Sequence, residues 1–388
     1  QEIFEIIHCN NKNTLESINV LGKPTQTTVT SASNTEIQSA KTLNSVLSLQ
    51  AKFNPTIVHL RILRETKEVE CLTFGELYIE ASKFAAGLIA NNLLPGDRVI
   101  LMLPTGKDYF ISFFGILLAT GVPVPVYPPA RAGQIAEHLS RHASIAANSG
   151  AVMMIADETI LPFAQNIRSR SITLRLVDSP DKIKSKSALS QIPQPKPEDV
   201  ALIQYTSGST GDPKGVVLSH SNLLANIRAM GNRLEVDSSD VFVSWLPLYH
   251  DMGLIGAWLG SLTFGSQLII MSPLNFIARP SRWLWAIHKY KGTISGGPNF
   301  GYDACISRFQ RESFNDLDLS SWRVAFNGAE TVQSTTLLKF EEAFKNNGFR
   351  SKALMPVYGL AENSVGLAFP PLNQGPKIDQ IDRLQLNK

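Results

Sequence analysis

The sequence predicts an α/β fold: two layered subdomains of mainly parallel sheet, each flanked by helices. The main observation is that short apolar segments alternate with helical segments from Thr42 almost to the end of the chain, which is typical of parallel sheets covered on both faces. The length of 388 residues also suits two or three subdomains with a large core. Ligands of such folds bind beyond the carboxyl ends of the strands, so we expect the binding residues in the segments that follow strands.

Composition excludes several classes of protein. The chain is 44% hydrophobic and 18% charged, as in ordinary globular proteins. Its net charge of +3 is too small to indicate nucleic-acid binding. Glycines and prolines interrupt the longest apolar stretch, 109–126, so we expect no integral membrane association. Cys9, Cys71 and Cys305 lie far apart, which predicts a reducing, cytoplasmic location and no zinc site.

Residues 1–42 differ from the rest of the chain. They are rich in Ser, Thr, Asn and Gln and predict a flexible leader or linker, with a docking segment for an upstream partner as the alternative. Because the chain begins at Gln1, we interpret it as part of a longer protein. Residues 43–388 are expected to form one nucleotide-binding domain, with a subdomain boundary predicted in the Lys-, Ser- and Pro-rich stretch 181–199.

Capping and turn signals define the individual elements. Thr73 with Glu76 three residues later predicts a capping box and a helix that ends near Asn92, before Pro95 and Gly96. Ser219 predicts the N-cap of another helix. We expect further helices at 107–119, 135–148, 222–234 and 253–264. Strands are expected at 99–103, 122–126, 152–155, 172–177, 200–204, 215–218, 241–244, 267–271, 324–327 and 354–358.

The most informative segment, 205–216, reads Tyr-Thr-Ser-Gly-Ser-Thr-Gly-Asp-Pro-Lys-Gly-Val and follows the strand predicted at 200–204. Glycines allow backbone N–H groups to approach an anion, while the hydroxyls and Lys214 add further donors. The segment therefore predicts a phosphate-binding loop. Gly215 follows Lys214 where a Walker motif has Ser or Thr, so this is a different loop class. A solvated glycine- and serine-rich turn is the alternative.

Four more motifs follow predicted strands. His250 and Asp251 are adjacent; because neighbouring side chains rarely face each other, a polar turn in which Asp251 caps a helix is the alternative to a positioning role for His250. The small residues of 295–300 permit close approach of a ligand or of a second backbone. The turn 327–330 offers backbone groups to a flat base. Within 358–362, Tyr358 could stack on a base and Glu362 could bind Mg²⁺, or cap a helix start.

Together these motifs resemble those of the adenylate-forming superfamily, and more narrowly those of the fatty acyl-AMP ligases. The narrower resemblance depends on three segments: Leu-Pro-Leu-Tyr-His-Asp-Met-Gly-Leu-Ile at 246–255, Gly-Gly-Pro-Asn-Phe-Gly-Tyr-Asp-Ala-Cys at 296–305, and Leu-Ser-Ser-Trp-Arg-Val-Ala-Phe-Asn-Gly-Ala-Glu at 319–330. It extends from about Leu43 to the end of the chain.

The resemblance implies an enzyme that joins a fatty acid to ATP, releases pyrophosphate, and passes the acyl group to the phosphopantetheine thiol of an acyl carrier protein. Lys214, His250 and Glu362 are then the expected catalytic residues, with Glu362 also binding Mg²⁺. The phosphates are expected at Thr206, Ser207, Gly208, Ser209, Thr210, Gly211 and Lys214. Adenine is expected at Gly328, Ala329, Glu330, Tyr358 and Gly359. The acyl tunnel is expected at His250, Gly296, Gly297, Pro298 and Asn299.

Two departures from the family pattern affect these expectations. The family's ribose-binding aspartate and its C-terminal domain with a catalytic lysine are not found before Lys388, so we expect low activity from this chain by itself. The other departure is Thr331, where relatives often have proline, and we expect it to have little effect. Residues 377–386 resemble the start of an insertion that favours carrier-protein ligases over coenzyme A ligases. An acyl-CoA synthetase and a non-catalytic nucleotide-binding or docking fragment are the alternatives.

Overall fold

A computed structural model describes residues 31–64, 69–128, 135–206, 213–309 and 314–380. The α-helices are α1 Ser31–Ser39, α2 Leu43–Phe53, α3 Phe74–Ala90, α4 Lys107–Leu118, α5 Ile135–Ser149, α6 Leu161–Arg168, α7 Pro180–Ile183, α8 His220–Arg233, α9 Gly260–Phe264, α10 Pro273–Ala278, α11 Ser281–Tyr290, α12 Asn299–Phe309 and α13 Ser334–Phe344. A π-helix, Met252–Leu259, precedes α9. The strands are β1 Val58–Leu63, β2 Val69–Thr73, β3 Arg98–Met102, β4 Val122–Pro125, β5 Met153–Ala156, β6 Leu176–Asp178, β7 Val200–Thr206, β8 Lys214–Ser219, β9 Val241–Ser244, β10 Gln267–Met271, β11 Ile294–Gly297, β12 Val324–Asn327, β13 Leu354–Pro356, β14 Tyr358–Gly359 and β15 Gly366–Ala368.

Two main sheets form the scaffold. The larger has seven strands in the order β13-β12-β11-β9-β10-β1-β2 and is parallel except for the β1–β2 pair. The smaller is parallel throughout, in the order β4-β3-β5-β6. Alternate β3 residues enter different cores: Val99 and Leu101 pack with α3 and α4, whereas Ile100 and Met102 pack with α5 and α6. Helices therefore cover both faces of this sheet, which confirms the predicted fold class.

The predicted caps are present. Thr73 Oγ1 accepts a hydrogen bond from Glu76 N at 3.1 Å, and Glu76 Oε2 accepts one from Thr73 N at 2.9 Å, so the capping box at the start of α3 is complete. Ser219 caps α8 in the same reciprocal way, with Asn222. Local side-chain chemistry thus fixes the starts of both helices.

Two predicted strands differ from the structure. The strand predicted at 172–177 is reduced to β6, because Ile172 is fully exposed and the chain pairs only from Leu176 onward. The strand predicted at 354–358 divides in two. β13 ends at Pro356, and Tyr358 begins a different, antiparallel pair with β15. Val357 N still donates to the Asn327 carbonyl oxygen of β12 at 2.8 Å. The pairing changes only at the next residue, where Tyr358 pairs with β15 instead.

The end of the predicted leader is ordered, contrary to the prediction of a flexible segment. Residues 31–39 form α1, in which Ile37 is buried, and Ala40 that follows is buried too. Gln38 Nε2 donates to the carbonyl oxygen of Thr263 in α9 at 3.1 Å. These contacts supply the burial that composition alone did not indicate. Residues 1–30 lie outside the described residues.

The segment 181–199 leads from the smaller sheet to the β7–β8 hairpin. The strands β1 and β2, which precede the smaller sheet in sequence, belong to the larger one. The chain therefore passes between the two sheets more than once, and a subdomain boundary at 181–199 stays a prediction. Within the described ranges, no helix has the length and apolar character needed to cross a bilayer.

The helix predicted at 253–264 forms in two parts, the π-helix and α9. Trp258 of the π-helix is fully buried and meets Phe110, Phe113 and Phe114 of α4 edge-on, with ring centroids 4.6, 5.1 and 5.4 Å away. Such edge-to-face pairs add to the stabilisation from burial. The π-helix is thereby anchored in the core on one side, while its opposite side is available to form the wall of a site. Wide π-turns are frequent at functional sites.

Candidate functional site

The two ends of the predicted phosphate loop face each other in the β7–β8 hairpin. The strands are antiparallel, and Thr206 is directly opposite Lys214. Lys214 is exposed. Arg141 of α5 donates from Nη2 to the Thr206 carbonyl oxygen at 3.4 Å. The rest of the predicted loop lies outside the described residues: Ser207, Gly208, Ser209, Thr210 and Gly211.

His250 and Asp251 contact each other although they are adjacent in sequence. His250 Nδ1 is 2.7 Å from Asp251 Oδ1, which also accepts from Met252 N at 2.7 Å. Because a carboxylate oxygen can only accept, Nδ1 carries the proton. The 3.4 Å separation between Met252 N and Nδ1 is therefore not a hydrogen bond. The expectation that these side chains would not face each other is wrong, whereas the predicted capping by Asp251 is confirmed.

The pair controls the charge of the imidazole. Burial lowers the pKa of His250, but the hydrogen bond from its ring to Asp251 and the negative charge of that carboxylate outweigh burial, so the pKa is raised above its ordinary value. A histidine with a raised pKa is more positively charged near neutral pH. The motif therefore places a histidine with a raised pKa at the end of the segment that follows β9.

Asp251→Asn is expected to lower the pKa of His250, because the negative charge that raises it is removed. An NMR titration of the His250 ring nitrogens in the wild type and the variant measures the change. Asp379→Asn, which neutralises an exposed carboxylate, serves as the control and should leave the titration unchanged. An unchanged or higher pKa in Asp251→Asn would show that another group sets the charge of the ring.

The Gly328–Glu330 turn follows β12 and has a constrained backbone. Ala329 has φ +68°, a region that residues with a Cβ atom rarely adopt. Glu330 Oε1 accepts from Asn299 N at 2.7 Å, and Asn299 Nδ2 donates to the carbonyl oxygen of Thr331 at 2.9 Å. Oε1 of Glu330 thus caps the start of α12, and the turn still offers its backbone groups to a ligand.

The glycines of 296–299 allow close packing between strands. A Cβ atom on Gly296 would lie 2.0 Å from a backbone oxygen of β12, and one on Gly297 would lie 2.7 Å from the Trp245 ring. No residue of 296–299 is among those that line the apolar cavity described below; the lining residue of β11 is Ile294. At Gly296 and Gly297 the missing side chains make room for neighbouring protein atoms, and the tunnel role predicted for 296–299 stays a prediction.

Tyr358 and Glu362 belong to a small hairpin that is fixed to α8. Tyr358 is 61% exposed, and Glu362 is exposed within the short 3₁₀ turn Ala361–Asn363. Asn226 of α8 donates to Gly366 O at 2.7 Å and accepts from Gly366 N at 3.0 Å, which ties the hairpin to the helix. β8 also contacts the 3₁₀ turn. The strand that begins at Lys214 and the turn that holds Glu362 are therefore neighbours.

An apolar cavity of about 220 Å³ connects several of these elements. His250, Ala329, Tyr358 and Gly359 line part of it. Lys214, Gly328, Glu330 and Glu362 are not lining residues. The remaining wall is mainly apolar and comes from α8, β9, the β15 region and the segments next to them: Ile227, Met230, Leu234, Val236, Phe242, Val365 and Phe369. The site thus joins the predicted base-binding residues Ala329, Tyr358 and Gly359, together with His250, to an apolar chamber.

Sequence reasoning missed the contribution of α8. Ile227, Met230 and Leu234 recur at helical spacing, which identifies one apolar face of the helix. That pattern does not distinguish a face that packs against protein from one that borders empty space. Only the position of the β14–β15 hairpin, tied to α8 through Asn226, shows which it is.

Comparisons with known proteins bear on the family and the fold of this chain. The family model described as AMP-binding enzyme matches residues 49–384. The chain is 33% identical over 396 residues to the medium-chain-fatty-acid–[acyl-carrier-protein] ligase TtuA of Teredinibacter turnerae, with 89% of this chain and 61% of that protein covered. It is 36% identical over 302 residues to the long-chain-fatty-acid–AMP ligase FadD32 of Mycobacterium marinum, with 76% and 47% covered.

Its structure is similar to that of a fatty acyl-adenylate ligase from L. pneumophila solved in complex with acyl adenylate and pyrophosphate. The TM-score is 0.81 at 37% sequence identity, and the match covers 88% of this chain and 59% of that one. The chain therefore spans between about half and three fifths of the length of these similar proteins.

Proposed function

Because this chain belongs to the AMP-binding enzyme family, we propose that it activates a fatty acid with ATP, forming a fatty acyl-adenylate and pyrophosphate. The acyl group then passes to the phosphopantetheine thiol of an acyl carrier protein. The observation that carries this proposal is the apolar cavity lined by His250, Ala329 and Tyr358, since a fatty acid needs an apolar chamber that opens beside the nucleotide. The ligase activities of the similar proteins support it. A cytoplasmic location is part of the same proposal.

In this mechanism a carboxylate oxygen of the fatty acid forms a bond to the α-phosphorus of ATP, and the bond from that phosphorus to the oxygen of pyrophosphate breaks. Catalysis is then mainly a matter of position and charge. The cavity holds the tail, Tyr358 offers a ring for adenine, and the Ala329 turn offers backbone groups. His250 brings positive charge near the carboxylate, and Lys214 offers an exposed ammonium to the phosphates. The charged groups favour the transition state, in which negative charge moves toward pyrophosphate.

Glu362 fits a role in binding Mg²⁺. Its carboxylate is exposed, and it forms no ion pair with any residue the structure describes. It also lies on a turn that contacts β8. Carboxylate oxygens are suitable Mg²⁺ ligands, and Mg²⁺ is usually bound by one or two carboxylates together with substrate phosphates. When bound, the ion would neutralise part of the phosphate charge.

Gly256→Phe tests whether the cavity holds the acyl chain. Gly256 lines the cavity, and a Cβ atom there would have no protein atom within 4 Å, so a benzyl group would occupy space meant for substrate. We expect a shift of preference to shorter fatty acids, with the longest accepted chain losing about tenfold in kcat/KM. Fatty-acid-dependent pyrophosphate exchange across a series of chain lengths, in the full-length protein, provides the measurement.

Gly256→Ala is the matched control, since a methyl group fills little of the chamber and should leave the preference unchanged. An unaltered chain-length profile in Gly256→Phe would argue against this cavity as the acyl site.

Transfer from the adenylate to an acyl carrier protein, in competition with free coenzyme A, tests the second half of the reaction. Preferential use of coenzyme A would identify an acyl-CoA synthetase instead.

A further inference from the structure

A polar cleft adjoins one end of the apolar cavity. Val236 and Phe264 line both spaces. The other residues of the cleft are polar or charged and come from α1, α8 and the segment after α8: Gln38, Arg228, Asn232 and Asp237. Asn232 and Asp237 are exposed, so the cleft is in contact with solvent. The chamber proposed for the acyl chain therefore ends beside a polar, hydrated space.

The partition between the two spaces is thin. Phe264 is 9% exposed and packs on α8 at Gly231, where a Cβ atom would be only 2.1 Å from the Phe264 ring. The helix thus has no side chain at the point where the ring rests. Phe264 and Val236 thus separate the cavity from the cleft, and a chain that reaches the cleft has to displace the Phe264 ring.

Arg228 in the cleft has an unused donor. Its Nη2 donates to the carbonyl oxygen of Ala40 at 2.5 Å. Its Nε is buried and has no hydrogen-bond partner among the described residues. Buried donors nearly always have a partner, and a donor on a charged group forms stronger hydrogen bonds than a neutral one. Nε itself is sealed from the cleft, so what Arg228 brings to the cleft wall is the positive charge of its guanidinium group.

The cleft supplies acceptors as well. Asp237 carries a carboxylate, and its Oδ1 accepts from Ser239 N at 2.7 Å and from Ser239 Oγ at 2.6 Å. Gln38 uses its Nε2 to bond to Thr263 O, which leaves its amide oxygen as the polar atom for a ligand. A group that both accepts and donates matches this mixed set better than an anion, which Asp237 would repel.

We propose that the preferred substrates are fatty acids with a hydroxyl group at the end distant from the carboxylate, and that this hydroxyl binds in the cleft between Arg228 and Asp237. The inference rests on the proposed function, because the chain must first occupy the apolar cavity. A terminal carboxylate would have to carry its charge past apolar side chains such as Ile227 and Phe242, at a larger desolvation cost than a hydroxyl. A terminal hydroxyl can therefore pass through the apolar cavity at a lower cost and still form hydrogen bonds in the polar cleft.

The cleft includes a residue from outside the family match. Gln38 lies on α1, before residue 49, where the match to the AMP-binding model begins. A part of the chain beyond the shared enzyme core thus helps to form this end of the site.

The test compares plain fatty acids with their terminally hydroxylated counterparts, matched in length across a series, by pyrophosphate exchange in the full-length protein. At the best length, the wild type should show about tenfold higher kcat/KM for the hydroxylated chain, the effect of one hydrogen bond to a charged group. Arg228→Met should lose this advantage and keep the wild-type kcat/KM for plain chains. Arg170→Met, which removes the same charge from an exposed residue lining neither space, should behave as the wild type.

Three outcomes would overturn the inference: no advantage for the hydroxylated chain at any length, an advantage that persists in Arg228→Met, or a stronger preference for a terminal carboxylate. Phe264→Leu gives an independent check if Arg228→Met is unstable, since a smaller partition should increase the advantage of the hydroxylated chain. Activation of plain fatty acids without any effect of the hydroxyl would reject this inference alone. Failure to activate any fatty acid would instead reject the proposed function.

Discussion

Replacing Lys214 or Glu362 with alanine is expected to slow fatty-acid-dependent pyrophosphate exchange by about a hundredfold each, the usual effect of removing one group that stabilises developing charge. Both residues are exposed and lie on neighbouring elements, β8 and the 3₁₀ turn. Their loss therefore removes charge from the proposed phosphate site without opening the core. Steady-state exchange in the full-length protein gives the rates.

Thermal unfolding of the same variants separates catalysis from folding. Because neither side chain is buried, the melting temperatures should stay close to that of the wild type. Lys352→Ala and Glu158→Ala remove equivalent charges from exposed positions elsewhere and should keep full activity. Wild-type exchange rates in Lys214→Ala and Glu362→Ala would remove their assigned roles, and a large fall in melting temperature would assign them to stability.

The second large effect concerns stability in acid. Burial lowers the pKa of His59 to about 4, although its hydrogen bond to Ser266 O partly opposes this. Burial likewise lowers the pKa of His220 to about 4, with a smaller opposing effect of Asp199. His220 Nδ1 accepts from Leu43 N at 3.2 Å, a bond that requires the neutral ring. Both histidines thus fold in the uncharged form.

The direction of the pH dependence follows from proton binding. Between the ordinary histidine pKa of 6.5 and the folded value of about 4, the unfolded chain binds more protons than the folded one, so stability falls as the pH falls through this window. Each histidine should account for about 3 kcal/mol of the free energy of unfolding lost across it. Below the folded pKa the contribution levels off, since both states are then protonated.

Denaturant unfolding at a series of pH values measures this loss. His59→Asn and His220→Asn remove one titrating group each while keeping a polar atom near the Nδ1 position. Each variant should show a shallower decline between neutral pH and pH 4 than the wild type. A decline as steep as that of the wild type in both variants would mean that other groups control acid unfolding.

Much of the fold followed from local signals. Hydrophobic periodicity located most strands, and side-chain caps located the starts of α3 and α8, because these signals act between residues a few positions apart. Features that depend on contacts between segments distant in sequence could not be predicted from these local signals. The strand predicted at 354–358 divides because Tyr358 pairs with β15 and not with the larger sheet. The end of the predicted leader folds because Ile37 is buried and α1 contacts α9, which is far away in sequence.

The sequence by itself determined the chemical groups of the site: the loop flanked by Thr206 and Lys214, the adjacent His250 and Asp251, and the motifs that end in Glu330 and Glu362. Each depends on residue type and close spacing, which a sequence displays directly. The tertiary structure alone decided which groups meet. In the folded chain Nδ1 of His250 contacts Asp251, the glycines of 296–299 pack against neighbouring strands and side chains, and a cavity lies along α8. A cavity is the space left between packed elements, so it has no residue pattern of its own and exists only once those elements are assembled.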